Sequence, residues 1–352
     1  MKISLMSLGD LMEDPVTGAH LNCAQRYRMM IEAAIVADAN GFYGINIGEH
    51  HGLDYAFSTP PVLLAAIAER TKNLKLSTAV ALAANLDPLR IAEDYAAVDV
   101  ISGGRVELVT GRGNFFESTY TLFGQSIEES AARFAEGMEL LCTLWSGEPV
   151  YWQGQFRAPI NGEALRPRPI QRDKPPFWVG GGSSRDTAEL TGRLGLKLML
   201  PSAFGKPDKF VAVADMYREA YAKAGHAGQP EVGACWHGWV AETHEAAIAR
   251  FQPRYQTYHQ FTQKLIKRVN SNPPPYLTAP FDFDFLRTEG PAIVGSPPEF
   301  AERLNRLAEQ LGADVNLIYM DMGGVPGDEF CDMVELMGRE VLPILSSVDI
   351  AA

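Results

Sequence analysis

The sequence predicts an α/β protein folded as a (β/α)8 TIM barrel with insertions. Short β-like runs alternate with amphipathic helical stretches from end to end, which is the signature of a parallel sheet covered by helices. Eight such units are present, and 352 residues exceed the ~250 typical of the barrel, leaving room for insertions. An open doubly wound sheet is the runner-up; no G-x-G-x-x-G follows the first strand, as a dinucleotide fold would prefer.

Strand candidates are residues 3–8, 43–48, 74–80, 105–110, 176–180, 196–200, 232–240 and 314–320. Helix candidates are 23–40, 59–70, 88–101, 127–145, 184–194, 207–224, 243–260, 298–311 and 327–342. Asp87-Pro88 reads as an N-cap followed by proline at the first helical position, and Ser102-Gly103-Gly104 stops that helix. Ser126 with Glu129 reads as a capping box ahead of a stripe of Phe134, Met138, Leu141 and Trp145. Phe300, Leu304, Leu307 and Leu311 form another stripe, and Phe330, Val334, Met337 and Val341 a third. These stripes are core faces.

The surplus length falls at about 111–126, 146–175 and 261–292, and no linker divides the chain, so residues 1–352 read as one barrel domain. Residues 146–175 read as an irregular loop or small hairpin. Long barrel insertions commonly serve as lids or subunit contacts.

Composition narrows the partners. The chain is 46% hydrophobic and 21% charged, with a formal net charge of −12. That acidity argues against nucleic acid or an anionic membrane as a partner. Cys23, Cys142, Cys235 and Cys331 are scattered without a C-x-x-C pair, which fits a reducing cytoplasm and no metal knuckle. The first apolar stretch, Ile3 to Leu8, is too short for a signal-peptide core, and no apolar run approaches membrane-spanning length.

In a barrel, the loops after the strands open on one face, which carries the active site. Three distant segments thereby become neighbours. Glu49-His50-His51 follows the second strand, and imidazole titrates near neutrality, so it can hold or move a proton. Side chains alternate along a strand, so only one histidine can face the mouth, and the sequence does not choose. Arg112, between Gly111 and Gly113, follows the fourth strand. Gly180-Gly181-Gly182-Ser183-Ser184-Arg185-Asp186-Thr187 follows the fifth and runs into a helix. Glycines, hydroxyls and a helix N-terminus make a phosphate cradle, and a guanidinium suits phosphate. Ser183 with Asp186 equally matches an ordinary helix cap. No H-E-x-x-H, G-x-S-x-G or P-loop occurs, and no metal site is expected.

Several pieces together resemble the bacterial luciferase-like flavin monooxygenases over nearly the whole chain. They are Gly48-Glu49-His50-His51, Asp87-Pro88-Leu89-Arg90-Ile91-Ala92-Glu93-Asp94, Ile101-Ser102-Gly103-Gly104-Arg105 and Gly111-Arg112-Gly113. They continue with Leu144-Trp145-Ser146-Gly147, Pro169, Gln171 and Pro175-Pro176, and Val294-Gly295-Ser296-Pro297-Pro298-Glu299.

The resemblance implies a (β/α)8 barrel binding FMN, as reduced flavin supplied by a separate NAD(P)H:flavin reductase. Reduced flavin and dioxygen then oxidise a small, largely apolar organic substrate. By position, His50 looks like the family's active-site histidine near the reactive flavin edge, where it would donate a hydrogen bond or move a proton. Arg112 looks like the phosphate-binding arginine, and Gly182, Ser183, Ser184 and Thr187 match the phosphate-binding turn. Ala79-Val80 falls where relatives have a non-proline cis peptide beside the flavin ring. Gly111 stands where the luciferase catalytic subunit carries a reactive cysteine, so light emission is not implied. A homodimer is expected from the resemblance. The alternatives are a deazaflavin-dependent oxidoreductase on the same barrel and a non-catalytic flavin-binding protein. Phe115, Phe116, Trp178, Trp236 and Trp239 are candidates for an apolar pocket, and equally for core or interface.

Overall fold

The computed structural model describes residues 1–113, 115–181, 184–273 and 278–345. Its strands are β1 (Lys2–Ser7), β2 (Gly44–Ile47), β3 (Lys75–Thr78), β4 (Ala81–Leu82), β5 (Leu108–Gly111), β6 (Pro149–Trp152), β7 (Ile160–Ala164), β8 (Phe177–Gly180), β9 (Lys197–Leu200), β10 (Val232–Val240), β11 (Ala292–Gly295) and β12 (Val315–Tyr319). Its α-helices are α1 (Cys23–Ala39), α2 (Pro60–Arg70), α3 (Pro88–Ser102), α4 (Glu117–Leu122), α5 (Ser130–Trp145), α6 (Arg185–Arg193), α7 (Val211–Ala224), α8 (His244–Val269), α9 (Phe283–Thr288), α10 (Pro297–Leu311) and α11 (Gly327–Leu336).

The main sheet runs β3-β2-β1-β12-β10-β9-β8-β5-β4, with every pair parallel. A parallel bridge between Leu76 in β3 and Val106, just ahead of β5, closes the ring, and β4, which follows β3 in the chain, pairs with β5 beyond it. The Leu76 amide donates to the Arg105 carbonyl (2.9 Å) and the Glu107 amide to the Leu76 carbonyl (3.0 Å). The wall therefore closes as a (β/α)8 barrel, as the alternating pattern predicts. β11 adds to the outer half of β10, and β6 with β7 forms a separate antiparallel hairpin inside residues 146–175.

Period-2 alternation sorts the strand residues between two layers. Ser4, Asn46, Ser77, Glu107 and Trp178 bound a small space inside the barrel floor. The Ser4 hydroxyl donates to Asn46 Oδ1 (2.6 Å), and Asn46 Nδ2 donates to the Thr78 carbonyl (3.1 Å). Ile3, Leu5, Ile45 and Ile47, on the opposite parity, are buried against the helix layer. Parallel strands covered on both faces bury polar in-facing residues only when those residues bond to one another.

Local signals account for most helix boundaries. Asp87 caps α3 by accepting from the Leu89 amide (2.8 Å), and Gly103 ends it at a φ of 71°, a conformation that favours glycine. The capping box at Ser126 and Glu129 does not form. The Ser126 hydroxyl donates to Glu128, and α5 begins only at Ser130, leaving that serine's hydroxyl for another partner. α8 runs nine residues beyond the expected 260, because its buried stripe of Phe251, Tyr255 and Tyr258 continues to Leu265 and Ile266. Among the described residues no helix is long and apolar enough to cross a membrane.

Candidate active site

The carboxyl ends of β2, β3, β5 and β8 bring the sequence-predicted residues to one face. The registers Ile47 with Thr78 and Gly111 with Gly180 align the ends from which His50, Ala79, Arg112 and Gly181 depart. Gly182 and Ser183 lie outside the described residues.

The two histidines part company. His50 shares the parity of Asn46, whose side chain lies inside the barrel, and its ring stacks on Tyr55 with centroids 4.0 Å apart and planes at 15°. Phe116 meets it edge-on at 5.6 Å. Its Nδ1 is buried with no hydrogen-bond partner. Burial, with a smaller contribution from nearby His51, pushes its pKa down to about 3, so the ring is neutral at physiological pH. His51 turns away: its Nε2 lies 2.9 Å from Glu49 Oε1 and its ring edge meets Phe123. Glu49 is held in turn by the Leu82 amide (3.1 Å).

The Ala79–Val80 peptide is cis, at the position where the resemblance places one. Val80 lodges between two glycines. A Cβ on Gly111 would stand 2.5 Å from Val80 Cγ2, and one on Gly180 would stand 3.0 Å from Cγ1. A side chain at 111 collides with Val80 and one at 180 would press on it, so a cysteine at 111 does not fit this packing.

Arg112 donates from Nη2 to the Ser130 hydroxyl (3.0 Å) at the start of α5, and its carbonyl accepts from the Tyr120 hydroxyl. Its Nε is buried without a partner, and among the described residues no carboxylate pairs with it. Ser184 caps α6 by accepting from the Thr187 amide (3.4 Å), so the cap is Ser184 with Thr187. The Ser184 hydroxyl proton stays available to donate. A Cβ on Gly181 would stand 2.5 Å from Thr187 Cγ2, so the glycine lets the turn close on the helix. An uncompensated guanidinium beside a capped helix N-terminus suits a phosphate. With the unpartnered imidazole nitrogen, these residues fit a ligand that has an anionic tail and a hydrogen-bonding ring.

An aromatic collar that sequence reasoning missed surrounds the mouth. One arc runs from His50 through Tyr55, Phe261 and Tyr258 to Tyr319, with neighbouring centroids no more than 6.3 Å apart. The other passes from Tyr319 through His237 and Phe204 to Phe115, next in the chain to Phe116, which returns to His50. Phe115 and Phe116 thus join the collar, but the three tryptophans do not. Trp178 Nε1 donates to Glu107 at the barrel floor (3.0 Å), Trp236 Nε1 donates to Asn316 (2.8 Å), and Trp239 lies under Arg254 at 4.8 Å.

His237 is a second neutral imidazole in this collar. Burial, with His259 nearby, lowers its pKa to about 3, and its Nδ1 lies 2.7 Å from the Tyr255 hydroxyl. Tyr258 meets Tyr319 edge-on with ring centroids 5.4 Å apart, and Tyr319 donates to Asp10 (3.0 Å). Arg26, fully buried, sits between Asp10 (3.5 Å) and Asp321 (3.0 Å). The phenols therefore lead from the His50 stack to a buried ion pair. The only sequence trace of this is the pair of phenols on α8, Tyr255 and Tyr258, three residues apart.

The profile of the luciferase-like monooxygenase family matches residues 1–315. The oxygenase component of the flavin-dependent trigonelline monooxygenase of Acinetobacter baylyi is 26% identical over 338 residues, covering 92% of this chain and 91% of that protein. Monooxygenase RslO1 of Streptomyces bottropensis superposes with a TM-score of 0.82 at 26% identity, over 97% of this chain and 99% of that one. The oxygenating constituent of 3,6-diketocamphane monooxygenase from Pseudomonas putida, solved with FMN, shares the fold at 21% identity (TM-score 0.75, 98% and 99% covered). An F420-dependent secondary alcohol dehydrogenase shares it at 17% identity (TM-score 0.74, 98% and 99% covered). On the profile match and the barrel that carries it, the chain belongs to the luciferase-like monooxygenase family.

Proposed function

We propose that this protein is the oxygenase of a two-component monooxygenase, taking reduced FMN from a separate NAD(P)H:flavin reductase and oxidising a small, largely apolar organic substrate. The observation that carries this reading is the pairing of two unsatisfied groups at one barrel mouth. Arg112 has no counter-ion among the described residues, and His50 has a buried Nδ1 without a partner.

Reduced FMN would supply two electrons for the reduction of dioxygen, one oxygen atom entering the substrate and the other leaving as water. Arg112, Ser184 and Thr187 would hold the phosphate: the guanidinium by charge, the turn by hydroxyl and backbone donors. Ala79 would border the flavin ring, as the resemblance implies. His50, neutral and stacked on Tyr55, would donate a hydrogen bond from one ring nitrogen or accept one at the other without itself carrying a charge. The collar of rings excludes water and offers an apolar surface to the substrate.

A homodimer is proposed from the resemblance. Four free cysteines fit a cytoplasmic location. The F420-dependent relative of the fold keeps a deazaflavin reading alive, and an anaerobic titration separates the two. Reduced FMN is expected to bind in the micromolar range and reduced F420 at least tenfold more weakly. The opposite order rejects the FMN assignment, and binding of FMN without turnover of any substrate favours the non-catalytic flavin carrier.

A further inference from the structure

A cavity of about 100 Å³ opens outside the barrel, between the start of α3, the inner face of α5 and the turn of the β6–β7 hairpin. Its polar wall is incomplete. Asn85 is only 5% exposed, yet neither its Oδ1 nor its Nδ2 has a partner. Arg133 lines the same cavity, and its Nε is also buried and unpaired. Folded proteins seldom leave such a group buried and unsatisfied, because its lost hydration is not replaced.

The charges around the cavity are already answered. Arg133 Nη2 lies 3.1 Å from Glu129, and Arg157 Nε lies 3.3 Å from Asp87. Both oxygens of Glu136 accept backbone N–H groups, from Gln155 (2.7 Å) and Phe156 (3.0 Å). A charged ligand would enter without a free counter-ion. What remains open is two donors, Asn85 Nδ2–H and Arg133 Nε–H, and one acceptor, Asn85 Oδ1.

We propose that this cavity binds a small neutral carboxamide, at a site separate from the barrel mouth. The ligand carbonyl would accept from Asn85 and Arg133, and its NH2 would donate to Asn85 Oδ1, which gives each of these three buried atoms a partner. A carboxylate takes the two donors but offers nothing to Oδ1 and faces Asp87 and Glu136. The Phe156 ring, 4.6 Å beneath the Arg133 guanidinium, and Leu140 give a short carbon tail an apolar wall. Asn85 Oδ1 also lies 3.5 Å from where a Cβ on Gly113 would stand, so the site shares a wall with the Arg112 turn. Water is the competing occupant, since the volume equals that of about three molecules at ~30 Å³ each.

The test uses the full chain without flavin and two probes, propionamide and propionate, with affinities read by ligand-observed NMR and occupancy by crystal soaking. Propionamide is expected to bind at least tenfold more tightly than propionate and to appear in the cavity against Asn85. Asn85→Leu is expected to abolish propionamide binding while raising the Tm of the free protein, because an unpaired amide is removed. Equal affinities for the two probes, or only ordered water in the soaked cavity, overturns the proposal, and both readouts come from the unsubstituted protein. None of them involves flavin, so this site stands or falls apart from the monooxygenase reading.

Discussion

His50 lies flat on Tyr55, ring centroids 4.0 Å apart, with its Nδ1 buried and unbonded. A ring held in place by stacking while one nitrogen stays free is prepared for a partner the chain itself does not supply. On a substrate found by screening, His50→Gln is expected to lower turnover by roughly 10²-fold or more. The dissociation constant of reduced FMN should change less than threefold. Single-turnover kinetics with anaerobically loaded enzyme measures both, and unchanged turnover removes His50 from the chemistry.

His237 gives a pH signature. Its folded-state pKa of about 3 lies below the ordinary histidine value of about 6.5. Between those values the unfolded chain binds the extra proton, so stability is lost as pH falls below about 6.5. The limiting slope is ~1.4 kcal/mol per pH unit for this residue. His237→Phe leaves Tyr255 without its partner and so lowers stability at every pH, but it removes this slope. Urea unfolding at pH 7 and pH 5 should show the native chain losing about 1–2 kcal/mol more than the variant over that interval. Equal losses would mean that His237 is protonated in the fold.

Gly111 is fixed by packing against Val80. Gly111→Cys places a Cβ 2.5 Å from Val80 Cγ2 and should destabilise the fold by about 1–3 kcal/mol. Gly111→Cys with Val80→Ala should recover part of that loss. A denaturation midpoint unchanged by the single substitution contradicts the packing described.

Much of this architecture is legible in the sequence, because eight apolar runs with alternating helices leave few folds and barrel loops converge on one face. Arg112 and Ser184 were findable for that reason, their glycine-rich surroundings marking places where backbone and ligand approach. The choice of His50 over His51 came from the resemblance alone, since the residues themselves leave it to the parity that Asn46 sets inside the barrel. The collar was hidden for another reason. Tyr55, Tyr258, Phe261 and Tyr319 come from distant segments, and His237 sits in a strand whose tryptophans draw the eye but turn elsewhere. The false capping box at Ser126 shows the limit of a four-residue motif. Its serine found a nearer carboxylate, and Ser130, the residue that begins the helix, answers Arg112 instead.

The central claim is that Arg112 anchors a flavin phosphate with the flavin ring reaching His50, and paired dissociation constants test it most directly. Reduced FMN and reduced riboflavin, which lacks the phosphate, are titrated anaerobically against the native chain and Arg112→Ala. Loss of a charge-assisted pair worth about 1.5–3 kcal/mol predicts FMN binding weakened roughly 10- to 150-fold, with riboflavin within threefold of its native value. Equal weakening of both ligands, or of neither, contradicts the account.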